Sequence, residues 1–92
     1  MKPNLFPHLS QQVVLITGAC GRIGRSLAIQ LARTGSSLIL VDISSEKLQS
    51  LSDELSVINP SSRALTYVST LYSAIQIDYI IEDSLKYFDK ID

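Results

Sequence analysis

The apolar run Val13-Val14-Leu15-Ile16-Thr17 breaks at Gly18, and two further glycines, Gly21 and Gly24, follow at three-residue spacing as a helical pattern begins at Arg22. No other feature constrains the fold of this chain as tightly. Aliphatic and β-branched residues without polar alternation read as a parallel strand buried on both faces. Gly18 permits a tight turn out of that strand, Gly21 leaves the backbone open to close approach by a pyrophosphate, and Gly24 lets the new helix pack closely on the sheet. The free N–H groups and positive dipole end of the helix then face an anion. The stretch reads as a phosphate cradle. G-x-x-G-x-x-G alone is a weak signal. Here it lies between strand and helix, with an acid, Asp42, closing the next apolar run roughly 20 residues on, as a dinucleotide-binding fingerprint requires.

From Arg22 the helix places Ile23, Leu27 and Leu31 at intervals of four, with Gly24, Ala28 and Ala32 beside them as a small-residue stripe that allows close approach to the sheet. Ser37-Leu38-Ile39-Leu40-Val41-Asp42 reads as a second buried strand with Asp42 at its carboxyl end, where α/β sheets hold their ligands. Ser44 or Ser45 caps a second helix with Leu48, Leu51 and Leu55 on its apolar stripe and Glu46, Lys47, Asp53 and Glu54 mostly on its wet side. Asn59-Pro60 stops it. Ala64-Leu65-Thr66-Tyr67-Val68 alternates partially, as an edge strand does. A last helix is expected from Ser73 to Phe88, with Ile77, Ile81, Leu85 and Phe88 inward and Asp78, Glu82, Asp83 and Lys86 in solvent. Right-handed crossovers make this β-α-β-α-β-α order a parallel sheet of strand order 3-2-1 with helices on both faces, half of a doubly wound Rossmann fold. Met1 to Gln12, with Pro3, Pro7 and a solvated His8, reads as an arm leading into a partial dinucleotide-binding domain over residues 13–92.

Ninety-two residues allow one domain, small enough to bury only roughly 60–65% of its unfolded surface. A hydrophobic fraction of 46% against 18% charged residues excludes a disordered chain, and a net charge of −1 gives no footing for nucleic acid or an anionic membrane. The single cysteine, Cys20, excludes an internal disulfide and a cysteine-based zinc cluster, and suits a reducing compartment as a small packing residue. No metal site is expected. No signal peptide and no long apolar span is visible, so the expected location is the cytoplasm.

Leu15-Ile16-Thr17-Gly18-Ala19 with Gly21 and Ile23-Gly24, Val41-Asp42-Ile43 with Glu46-Lys47-Leu48, and Phe88-Asp89-Lys90-Ile91-Asp92 together resemble the amino-terminal part of the short-chain dehydrogenase/reductase family, over essentially the whole chain. The resemblance implies that the glycine turn holds the pyrophosphate of a nicotinamide dinucleotide and that Asp42 meets the adenine ribose, favouring NAD over NADP. The implied cofactor-binding residues are Gly18, Cys20, Gly21, Arg22, Ile23, Gly24 and Asp42. Two positions depart from the family pattern. Arg22 stands where shorter members carry glycine, a spacing nearer the extended branch, and Arg22 or Arg25 brings a cation within reach of a phosphate. Thr70 stands where the family commonly has an Asp against the adenine.

The family's Asn-Asn-Ala-Gly segment, catalytic Ser and Tyr-x-x-x-Lys pair are implied to lie downstream of Asp92. None of Tyr67, Tyr72, Tyr79 and Tyr87 has a lysine four residues later. No catalytic residue is assigned, and the chain is expected to be inactive alone. In full-length form the implied activity is hydride transfer between NAD(P) and an alcohol or carbonyl. The alternative is a stand-alone, non-catalytic nucleotide-binding or interaction module, or an inert remnant of such an enzyme. A sheet edge left open beside the first strand predicts self-association.

Overall fold

Each of the three apolar runs forms a strand, β1 (Val13–Thr17), β2 (Ser37–Asp42) and β3 (Ala64–Val68), and each is followed by a helix, α1 (Arg22–Arg33), α2 (Ser45–Ile58) and α3 (Ala74–Ser84). The structure is a computed structural model describing residues 12–61, 63–70 and 73–92. The expected arm, His8 included, lies outside the described residues apart from Gln12, whose carbonyl accepts the Ser37 N–H.

The strands are parallel in the order β1-β2-β3, with Val13 opposite Ser37 and Leu38 opposite Ala64. The central strand explains the unbroken apolar run in the sequence: Leu38, Ile39, Leu40 and Val41 are all buried because both faces of β2 are covered. One face takes α1 and α2, packing Ala28, Ala32, Leu48, Leu51 and Leu55 on Ile16, Leu38 and Leu40. The other takes α3 and the segment after it, packing Ile80 and Phe88 on Val13, Ile39 and Val41. Tyr67 ties the edge strand to α3 by donating to the Asp83 carboxylate at 2.7 Å. Arg63 lies 4.5 Å over the Phe88 ring and donates to the Tyr87 carbonyl.

Two helical patterns differ from expectation. α3 ends at Ser84 rather than Phe88, and the following residues continue as turns in which Tyr87 and Phe88 both donate to the Ser84 carbonyl. Its buried residues are Ile80 and Ser84, with Phe88 beyond its end also buried, whereas Ile77, Ile81 and Leu85 stay 41%, 38% and 43% exposed. Apolar residues at Ile75, Ile77, Tyr79, Ile80 and Ile81 offer the sheet several faces, and periodicity alone does not choose among them. The small Ser84 fits the close contact, its hydroxyl satisfied by the Ile81 carbonyl. On α1 the small-residue stripe is buried as expected. Ile23, however, is 82% exposed and Leu27 is exposed too. Both are two residues from Arg25, which reaches α2, and so stand on the opposite side of the helix.

The last residues return to the outer edge of β1. The Asp92 N–H donates to the Val13 carbonyl at 2.7 Å, and the Asp92 carboxylate accepts the Val13 N–H at 2.8 Å. The open edge thus begins beyond Val13. Beside it Leu15, Thr17, Val41, Ile77, Ile80 and Ile81 line a hollow of about 170 Å³.

α1 and the end of β1 pack backbone against backbone. A Cβ on Gly24 would stand 2.3 Å from the Gly18 carbonyl oxygen and 3.0 Å from the Ala19 Cα, both backbone atoms that no rotamer change can move. Gly24→Ala is therefore expected to destabilise the fold by about 1–3 kcal/mol, read as a lowered thermal midpoint by circular dichroism. An unchanged midpoint would show that α1 can lift off the sheet without cost.

Candidate functional site

β1 delivers the chain to Gly18 at the carboxyl end of the sheet, and Gly18 adopts φ +63°, the left-handed conformation that glycine enters without a Cβ penalty. The turn that follows is pinned amide by amide. Ala19, fully buried, donates to the Val41 carbonyl at 3.1 Å, Cys20 donates to the Asp42 carboxylate at 2.8 Å, and Gly21 donates back to the Gly18 carbonyl at 3.0 Å. Gly21 is the N-cap of α1 and supplies no side-chain acceptor.

The other two helices have conventional caps, Ser44 accepting from the Lys47 N–H and Ser73 from the Gln76 N–H. At α1 no side chain does this, and the first turn carries no acidic residue. The amides of Arg22, Ile23 and Gly24, which have no acceptor within a helix, are thus presented at the positive end of the α1 dipole. Such an end suits an anion.

Asp42 closes β2 beside this turn. One carboxylate oxygen accepts the Cys20 N–H and the other the Ile43 N–H at 2.7 Å. The Cys20 amide does most to hold its carboxyl below the usual carboxylate range. Partial burial opposes it, and the Ile43 and Ser44 amides and the Lys47 charge add to it. The Cys20 thiol moves the other way, raised by burial and then by the Asp42 charge. A raised thiol pKa is the environment of a packing cysteine rather than a nucleophile.

Between the turn and α2 lies a hollow of about 260 Å³ lined by Cys20, Arg25, Lys47, Ser50, Leu51 and Glu54. Arg25 spans it to pair with Glu54, one contact measuring 2.6 Å. Both side chains are about half exposed, so the pair adds little stability, yet it commits the Arg25 charge to a carboxylate. Arg22 faces elsewhere, lining an open surface with Ile23, Ser26, Leu27 and Gln30. Of the two cations placed near a phosphate by sequence, one is paired and the other is exposed.

The structure thus brings Gly18, Cys20, Gly21 and Asp42 into one hydrogen-bonded unit with Gly24 packed beneath it, while the side chains of Arg22 and Ile23 point to solvent. Thr70, past the end of β3, donates weakly to Gln76 at 3.4 Å. Tyr87 and Lys90 fall beyond the end of α3. Sequence reasoning missed Lys47 and Glu54 as neighbours of the turn, since both read as solvent-facing. A cross-helix pair such as Arg25 with Glu54 leaves no local signature. Among the described residues no cluster of His, Cys, Asp or Glu is arranged to hold a metal ion, and no helix is long and apolar enough to cross a membrane.

Comparison with known proteins agrees with this architecture. The family model described as short chain dehydrogenase matches residues 12–92. Levodione reductase of Leifsonia aquatica is 34% identical over 85 residues, covering 92% of this chain and 32% of the relative. Its crystal structure superimposes with a TM-score of 0.82 over 88% of this chain and 31% of its own. NAD+-bound xylitol dehydrogenase, 30% identical, gives a TM-score of 0.81 over 88% of this chain and 30% of its own. A metagenomic short-chain oxidoreductase in complex with NADP, 25% identical, gives 0.79 over 88% and 36%. The chain spans about a third of the length of these relatives.

The direction of the Asp42 shift fixes a pH dependence. Since folding lowers its pKa, the unfolded chain holds the extra proton between the folded value and the ordinary value of about 3.9. The stabilisation by the carboxylate is complete above that ordinary value and is lost as pH falls through the folded one. The side-chain carbon resonance of Asp42 is expected to titrate below the ordinary aspartate range together with the Cys20 amide resonance. A midpoint at or above that range would contradict the hydrogen bonding described.

Proposed function

Because the chain belongs to the short-chain dehydrogenase family, we propose that it binds a nicotinamide dinucleotide across the carboxyl end of its sheet. One observation carries the reading: the uncapped amino terminus of α1 and the Asp42 carboxylate stand on either side of a turn held by the Cys20 amide. The backbone from Gly18 to Gly24 holds the pyrophosphate on the α1 amides, with Cys20, Gly21, Arg22 and Ile23 forming the strip it lies along. Asp42 accepts hydrogen bonds from the adenine ribose hydroxyls.

The cofactor is NAD in preference to NADP. A carboxylate at the ribose repels a 2′-phosphate, Arg25 is already paired with Glu54, and Arg22 lies on the surface away from the hollow. The relatives include an NAD+-bound dehydrogenase and an NADP complex, so the family accommodates both. When bound, the cofactor supplies hydride chemistry. The residues of this chain bind and orient it. Hydride exchange with an alcohol or carbonyl, the activity proposed for the whole protein, needs a proton donor and acceptor at the substrate oxygen. This chain has no Tyr-x-x-x-Lys pair to fill that role.

Calorimetric titration tests the reading. NAD is expected to bind at least about tenfold more tightly than NADP, and Asp42→Ala to weaken NAD by about tenfold or more while narrowing that preference. Absence of binding by either dinucleotide would favour the rival reading, a module or remnant without a nucleotide.

The same surface supports a second property, self-association. Leu15 and Thr17 on the open β1 edge adjoin the exposed Ile77 and Ile81, a combination that invites strand pairing between chains. Light scattering at micromolar concentration is expected to show species larger than a monomer. A monodisperse monomer would refute it.

A further inference from the structure

We propose that Asp42 is a positioning residue of the pyrophosphate turn, a task separate from meeting the ribose: its carboxylate, by accepting the Cys20 N–H, fixes the backbone that presents the α1 amides. The inference rests on the nucleotide-binding reading above and concerns how its site is built.

Three successive amides of the turn are engaged. Ala19 bonds to the Val41 carbonyl and Gly21 to the Gly18 carbonyl, both backbone acceptors, while Cys20 bonds to the Asp42 side chain. The Asp42 bond joins the turn to β2 through a side chain, and an ionised acceptor makes it the strongest of the three in kind. Cys20 sits midway between the buried Ala19 and the N-cap Gly21. Without this bond the backbone from Cys20 to Gly21 hangs from Ala19 alone on the side of β2, and the direction of the first α1 amides is no longer set.

The two tasks are compatible. The carboxylate offers about four acceptor sites, of which the Cys20 and Ile43 amides take one on each oxygen and the Ser44 amide a third, leaving room for a ribose hydroxyl. The bonds also explain why a carboxylate is tolerated beside an anion site. Backbone N–H groups aimed at both oxygens neutralise part of a charge that would otherwise repel the pyrophosphate.

The test separates position from charge and from ribose contact. Asp42→Asn and Asp42→Ala both remove the negative charge, but only Asn keeps an oxygen that can accept the Cys20 N–H. Inorganic pyrophosphate has no ribose. The two variants and the parent chain are titrated with inorganic pyrophosphate while amide exchange at Cys20 is followed by NMR, against Ala19 as an internal reference. Positioning predicts that the Cys20 amide is protected in the parent chain, that its protection falls about tenfold or more in Asp42→Ala, and that Asn restores a substantial part. It also predicts that pyrophosphate binds Asp42→Ala more weakly than Asp42→Asn. Equal affinities in the two variants, or a Cys20 amide that already exchanges freely in the parent chain, would overturn the proposal.

If Asp42→Ala unfolds, loss of Ala19 protection reveals it, and the exchange of Cys20 in the parent chain and in Asp42→Asn decides. If the parent chain binds neither pyrophosphate nor NAD, the nucleotide reading fails, while protection of the Cys20 amide and its dependence on Asp42 still decide whether the carboxylate holds the turn.

Discussion

The contact between the backbone of α1 and the end of β1 is the constraint on which the rest of the structure depends. Gly24 brings the first turn of the helix so near the Gly18 carbonyl that no side chain fits between them. That closeness sets the depth at which α1 sits, and Ala28 and Ala32 continue the same narrow interface along the helix. Larger residues at these points would push α1 outward and move its amino terminus away from the carboxyl end of the sheet. The left-handed Gly18 and the buried Ala19 are consequences of the same geometry: a chain leaving β1 must reverse within a few residues to enter a helix lying on the sheet.

Once α1 is so placed, its first amides need acceptors, and the sequence supplies none locally. α2 and α3 satisfy theirs with Ser44 and Ser73, whereas Gly21 at the corresponding point offers only backbone. An uncapped helix end costs stability in a small domain, which has little to spare. A bound anion would offset that cost, so the feature that weakens the empty domain is the one that favours the occupied one. Asp42 sits at the boundary between these demands. It accepts an amide of the turn, and its negative charge stands beside the uncapped end of α1.

The three strands were legible because their signals are local and nearly unambiguous: unbroken aliphatic runs for β1 and β2, partial alternation for β3 at the edge, and glycine or proline punctuation between them. The Leu48-Leu51-Leu55 stripe of α2 is equally clear, since polar and charged residues occupy most of the rest of that helix. α3 is less legible because it has too many apolar residues: Phe88 is buried as expected, but Ile80 and Ser84 take the places expected of Ile81 and Leu85. With Ile75, Ile77, Tyr79, Ile80 and Ile81 in one segment, periodicity offered several stripes, and the choice of Ile80, Ser84 and Phe88 is made by the shape of the sheet beneath. At the site, Gly18, Gly24 and Asp42 announced themselves by residue type and spacing. The bond from Cys20 to Asp42 and the pairing of Arg25 with Glu54 did not. The first involves a backbone amide that any residue carries, and the second joins two helices far apart in sequence.

The surplus apolar surface and the return of the chain to β1 belong together. Ile77, Ile81 and Leu85 on one face and Ile23 and Leu27 on the other are too exposed to serve the core formed by these three strands. Asp92 nevertheless places its backbone against Val13 on that edge. Relatives about three times as long share this architecture. A sheet extended beyond β1 would need cover on both faces, and Ile77 and Ile81 already stand beside Leu15 and Thr17 of that strand. The division of labour follows from that arrangement. Residues within the three strands and their turns can hold and orient a dinucleotide, because those tasks need only backbone amides, one carboxylate and a rigid turn. Proton transfer at a substrate oxygen would call for a donor and acceptor that no Tyr-x-x-x-Lys pair of this chain supplies, so the proposed binding can be tested apart from any reaction.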